Sequence, residues 1–96
     1  MAVYLVAQVN VQDWDRFKNY QGGVLKSLAA TGEGRVIAAG KATKLEGEEP
    51  RDLTVLFEFP SEEAATRWYH SEDYQNIIPI REESAPGANF TMLAGL

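Results

Sequence analysis

Arg81 is the residue whose type and spacing point most directly to chemistry. It follows Tyr74, Ile77 and Ile78 by seven, four and three positions, so a helix through this stretch puts its guanidinium on one face with a phenol. A permanent cation on an apolar helix face needs an acceptor. Inside the chain the candidate is Glu58, the one acid in the apolar run LTVLFEF (53–59). Outside it, the candidate is the carboxylate or enolate of a small ligand. In the first case the ion pair only fastens a helix to a sheet. In the second, Arg81 and Glu58 stabilise charge on a bound molecule, and Tyr74 donates a proton.

Tyr20, Tyr69 and Tyr74 carry phenolic donors, and Trp14 or Trp68 can supply an aromatic wall, the usual make-up of a small-molecule site. Aromatic residues at helical spacing also build ordinary cores. His70 is the only imidazole and the side chain best suited to moving protons near neutral pH. It stands beside Ser71 with no orienting partner spaced for it, so an exposed histidine without a chemical role is the simpler reading. One His, no Cys and dispersed acids give no metal-ligand spacing. Gly32-Glu33-Gly34 is too short for a dinucleotide fingerprint, no nucleophile elbow occurs, and no cofactor is expected.

These residues sit on a chain of 96 residues, 45% hydrophobic and 24% charged, a composition that folds as one domain over 1–96. Nine basic residues against fourteen acidic ones leave a net charge of −5, which repels phosphate backbones and anionic lipid. Neither nucleic acid nor membrane is expected as a partner. With no signal-peptide pattern and no apolar run of spanning length, the protein is expected to be cytoplasmic.

The positioning elements read clearly. Alternation predicts a strand over Val3 to Val11, with Val3, Leu5, Ala7 and Val9 on one face and Tyr4, Val6 and Gln8 on the other. Asp13 is an N-cap for a helix carrying Trp14, Phe17, Gln21, Val24, Leu25 and Leu28, which Thr31-Gly32 stops. Gly22-Gly23 inside it implies either close backbone packing or a bend. Arg35 to Lys41 and Leu53 to Phe59 read as strands joined over 42–52 by a connecting loop or an extended hairpin arm. Ser61 opens a second helix with Ala64, Ala65, Trp68 and Tyr69, and Ser71 opens a third that Pro79 should break or kink. Asn89 to Leu93 is the fourth strand.

The order β, α, β, β, α, β is that of a ferredoxin-like α+β fold, a four-stranded antiparallel sheet with its helices on one face. The other face still carries Tyr4, Val6, Leu56 and Leu93. That apolar surface predicts a homodimer in which two such faces pack together. A monomer tolerating scattered surface apolar residues is the alternative.

Particular stretches carry a family resemblance. They are Phe17-Lys18-Asn19-Tyr20, Leu45-Glu46-Gly47, Val55 through Ser61 (VLFEFPS), Glu63-Ala64-Ala65, and Trp68 through Gln75 (WYHSEDYQ) followed by Ile78-Pro79-Ile80-Arg81. In these the chain resembles the Domain of Unknown Function 1330 family of the dimeric α/β-barrel superfamily. The resemblance implies a ferredoxin-like subunit whose sheets pair in a homodimeric α/β barrel. It implies no reaction, since related families include cofactor-free monooxygenases, haem enzymes and binding modules. Family members often carry a small polar or acidic residue where this chain has His70, so no role passes to it. Three functional readings follow: a cofactor-independent enzyme acting on a small carbonyl or aromatic metabolite, a non-catalytic small-molecule-binding dimer, and a purely structural dimer.

Overall fold

The alternation of apolar residues is realised as a sheet with one face buried. In the computed structural model, which describes residues 1–96, the elements are β1 (Val3–Val9), α1 (Trp14–Thr31), β2 (Arg35–Gly40), β3 (Leu53–Phe59), α2 (Glu62–Tyr69), α3 (Glu72–Gln75), α4 (Ile78–Ser84) and β4 (Asn89–Ala94). All strand pairs are antiparallel, in the order β2-β3-β1-β4. This is the ferredoxin-like α+β fold.

Local chemistry sets the ends of these elements. Asp13 accepts a hydrogen bond from the Arg16 amide at the start of α1. Gly32, at φ 69°, closes α1 by donating its amide to the Leu28 carbonyl. Ser61 and Ser71 cap α2 and α3 through the amides of Ala64 and Tyr74. β1 stops at Val9, two residues short of the expected end. There the Asn10 side chain accepts from the Asp52 amide and the Asp52 carboxylate accepts from the Val11 amide, replacing the ladder with side-chain bonds.

Two expectations about helices are settled by packing. α1 runs unbroken through Gly22-Gly23, and a Cβ at Gly23 would stand 2.8 Å from a methyl of Ile77. Close approach of backbone to side chain therefore accounts for Gly23, while the surroundings of Gly22 are open. The third predicted helix is two helices. The break falls at Asn76 and Ile77, and Pro79 stands in the first turn of α4, where its missing N–H costs no bond.

The core lies between helices and sheet. Val3, Leu5, Ala7 and Val9 of β1 meet Phe57 and Phe59 of β3 and the fully buried Trp68 of α2. Trp68 stacks against Phe57, Phe59 and Tyr74 with centroids 4.2 to 5.5 Å apart. Its indole N–H donates to Ser27 Oγ at 2.8 Å, and that hydroxyl donates to the Val24 carbonyl. A polar tip deep in the core is thereby satisfied.

On the opposite face the register matches the sequence reading. Tyr4 pairs with Leu93 and Val6 with Leu56 across neighbouring strands. Ala38 continues the patch from β2, beyond an irregularity at Ile37. No helix covers this surface.

Candidate functional site

α1 lies closest to α3 and α4, and its Phe17, Tyr20, Val24 and Leu28 side chains join the core shared with the strands. A cavity of about 190 Å³ remains between it and the sheet. Phe17, Tyr20 and Val24 of α1 line one side, and Val55 and Phe57 of β3 with Phe90 of β4 line the other. Of fourteen lining residues only Gln21 and Arg81 are not hydrophobic, and Arg81 is the only one that carries charge.

α4 delivers Arg81 to the edge of this cavity. Its Nη1 donates to the Tyr74 hydroxyl at 2.8 Å, and its guanidinium carbon lies 5.9 Å from the ring centres of both Tyr20 and Phe90, within range of cation–π attraction. Nε is buried with no hydrogen-bond partner. No carboxylate pairs with Arg81, although five ion pairs form elsewhere. It is a half-buried cation held by a phenol and two aromatic faces.

A short relay extends from it. The hydroxyls of Tyr20 and Tyr74 are 2.6 Å apart. Tyr74 accepts from Arg81 and is itself fully buried, so its own proton is satisfied only by donating to Tyr20. That direction leaves the Tyr20 proton as the spare donor, on a residue that lines the cavity. Burial pushes the Tyr20 phenol above its ordinary value, against the lowering effect of Tyr74 and Arg81. Burial, followed by the neighbouring Tyr20, pushes Tyr74 further in the same direction. Both phenols are therefore protonated at neutral pH and act as donors rather than bases. Burial works against the charge on Arg81, but the tyrosine oxygens outweigh it and the net direction is upward.

The structure brings together Arg81, Tyr20 and Tyr74 from the predicted set and separates the rest. Glu58 is the main correction. It lies on the open face of the sheet and accepts two hydrogen bonds from Arg35, at 2.7 and 2.9 Å; the Arg81–Glu58 pair does not exist. Strand alternation dictates this, because Phe57 and Phe59 face the helices and their neighbour must face away. Trp68 fills the core instead of lining the cavity, and Trp14 is about half exposed. Tyr69 lines a separate recess beside Leu5, Phe90 and Met92. His70 is exposed at the end of α2, edge-on to Tyr69. There is no group of three or more His, Cys, Asp or Glu that could hold a metal ion.

Several lining residues were not singled out as site residues from the sequence. Gln21 is the one with a legible signal, being a polar residue on an otherwise apolar helical stripe. Phe90 could have been assigned by register, since it stands opposite Ala7 on the covered face.

Comparison with known proteins adds the family. The model of a domain of unknown function, DUF1330, matches residues 2–96. The chain belongs to the DUF1330 family. No curated protein matches it significantly. Among solved structures, a Rhodopseudomonas palustris protein of unknown function is similar, with a TM-score of 0.82 and 17% identity over 99% of this chain and 82% of that one. A Thermobifida fusca protein of unknown function, described as dimeric and ferredoxin-like, has a TM-score of 0.71 and 17% identity over 99% and 92%. A Caulobacter crescentus protein provisionally named an antibiotic biosynthesis monooxygenase has a TM-score of 0.76 and 15% identity over 99% and 90%. At these identities the likeness establishes the fold of this DUF1330 chain and nothing finer. No helix is long and apolar enough to cross a membrane.

Proposed function

We propose that this DUF1330 protein is a homodimeric small-molecule-binding domain, holding a mostly apolar metabolite between α1 and the sheet with Arg81 as its polar anchor. The observation that carries the reading is Arg81 itself, a cation without a counter-ion in an otherwise apolar cavity. Leaving such a group short of partners is costly, and a ligand oxygen relieves that cost. Dimerisation is supported by the Tyr4, Val6, Leu56 and Leu93 face and by the dimeric description of the Thermobifida fusca relative in structure.

A catalytic reading draws on the relay. Arg81 and the Tyr20 proton together suit an oxygen that gains negative charge, as when a carbonyl compound becomes an enolate. No Asp, Glu or His lines the cavity to accept the proton that enolisation releases. Binding is therefore the primary function proposed, and turnover by a cofactor-independent route is the secondary one. The Caulobacter crescentus structure carries a provisional monooxygenase name, an oxidation rather than an enolisation, and lends the secondary reading only an analogy of fold.

The test is a thermal-shift screen of small metabolites on wild type and Arg81→Ala. At least one chemical class should stabilise the wild type and not the variant. A screen in which the same compounds stabilise both proteins equally removes Arg81 from the site. For assembly, Leu56→Glu should convert a dimer into a single-subunit mass by light scattering, and a wild type that is already monomeric defeats that part of the proposal.

A further inference from the structure

Building on the binding site proposed above, we infer that the ligand is a monocarboxylic acid with an apolar body about the size of one six-membered ring. Three observations converge on this class.

The first is charge. Arg81 is the sole charged residue of the cavity wall and pairs with no acid of its own chain, so exactly one negative charge completes the site. A second anionic group would find no second cation in the wall, whose other polar groups are Gln21 and the Tyr20 hydroxyl, which disfavours dicarboxylates and phosphate esters.

The second is donor geometry, for which the same molecule offers a reference. Arg67 turns its Nε and Nη2 to the two oxygens of Glu33, at 3.1 and 2.6 Å, the two-point grip that a planar carboxylate fits. In Arg81 the Tyr74 hydroxyl takes Nη1 instead, while Nε has no acceptor. The edge used by Arg67 is thus the edge Arg81 holds in reserve. Because Nε is shielded from water, a small turn of the guanidinium must accompany docking. The Tyr20 proton then serves as a further donor to the same carboxylate.

The third is size. A dry cavity of roughly 150 Å³ holds a benzene molecule, so this partly open pocket of about 190 Å³ accommodates at least one ring with a carboxylate, or a branched aliphatic chain of similar bulk. Phe17, Tyr20, Phe57 and Phe90 supply aromatic surface around it, which rewards a ring over a chain.

The experiment is calorimetric titration of wild-type protein with benzoate, phenylacetate and 4-methylpentanoate, each beside its uncharged amide of the same shape, with toluene as an apolar reference. At least one acid should bind tenfold or more tightly than its amide. Arg81→Gln should reduce that acid's affinity at least tenfold and change the amide's by less than threefold. Equal binding of every acid and its amide to the wild type overturns the inference without using a variant, so a poorly folding Arg81→Gln leaves the test intact. Toluene or amide binding with no preference for acid rejects the carboxylate but keeps the cavity as a binding site. If none of the acids, amides or toluene binds, the binding site itself is rejected together with this inference.

Discussion

The two helix–sheet interfaces of this chain solve the same packing problem in opposite ways. Under α2 the space is filled by Trp68, whose ring lies among Phe57, Phe59, Phe90 and Tyr74 with no exposure. Under α1 the buried Phe17, Tyr20 and Val24 do not fill the space completely, and a cavity bordered by Arg81 remains. The difference follows from where α1 rests. With Gly23 pressed against Ile77, the helix is drawn toward α3 and α4 and spans the strands like a roof. Both halves bury core residues, but only the α1 half also leaves room.

Breaking the filled half should have the largest effect. Trp68→Ala removes the central ring and its bond to Ser27, and should cost about 3–5 kcal/mol in urea denaturation. A loss below about 1 kcal/mol would mean that the interface collapses around the gap and is less tightly specified than described.

Next is the relay between the halves. Tyr74→Phe leaves both Arg81 Nη1 and the Tyr20 hydroxyl short of a partner, an expected loss of about 1–3 kcal/mol. The same variant sharpens the comparison through pH. The folded-state values of Tyr20 and Tyr74 are raised, so their contribution is complete below the unfolded tyrosine value of about 10 and is lost as pH rises above it. Wild type should weaken steeply in alkali, and Tyr74→Phe should show a shallower slope in denaturation midpoints taken across that range.

Filling the open half should matter least to stability. Val24→Phe projects bulk into the cavity and should move stability by under about 1.5 kcal/mol, within the range seen for tolerated core changes, while abolishing ligand binding in a titration. Unchanged binding would place the ligand elsewhere. The smallest effect belongs to the exposed Glu33–Arg67 pair. Hydrogen bonding from Arg67 lowers the Glu33 carboxyl, so its contribution is present above the unfolded value near 4.5 and fades as pH falls through the lower folded one. Glu33→Gln should lower the neutral-pH midpoint slightly, and the gap from wild type should close in acid, where the pair is lost in both proteins.

How much of this was readable in advance depended on the range of the determinants. The strands and the two faces of the sheet were legible, because period-two alternation in Val3 to Val9 and Leu53 to Phe59 fixes both at once. The meeting of Tyr74 and Arg81 was legible by helical spacing, even though the helix proved to be two pieces. The Arg81–Glu58 pair failed because it joined residues on opposite sides of the sheet, and the alternation of Phe57, Glu58 and Phe59 already placed the acid away from the helices. The Tyr20–Tyr74 contact spans 54 positions, and nothing local encodes it. The cavity is less legible still, since it depends on how α1 rests over the sheet, which no local pattern encodes.

The sheet also insulates its two surfaces from each other. Residues of even and odd number along β1 and β3 answer to different demands, Tyr4, Val6 and Leu56 to the uncovered face proposed to pair two subunits, Ala7, Val9 and Val55 to the wall of the cavity beneath the roof. Heritable change can therefore reshape the chamber, by substitutions on α1 or on one parity of the strands, while the uncovered face drifts on its own schedule.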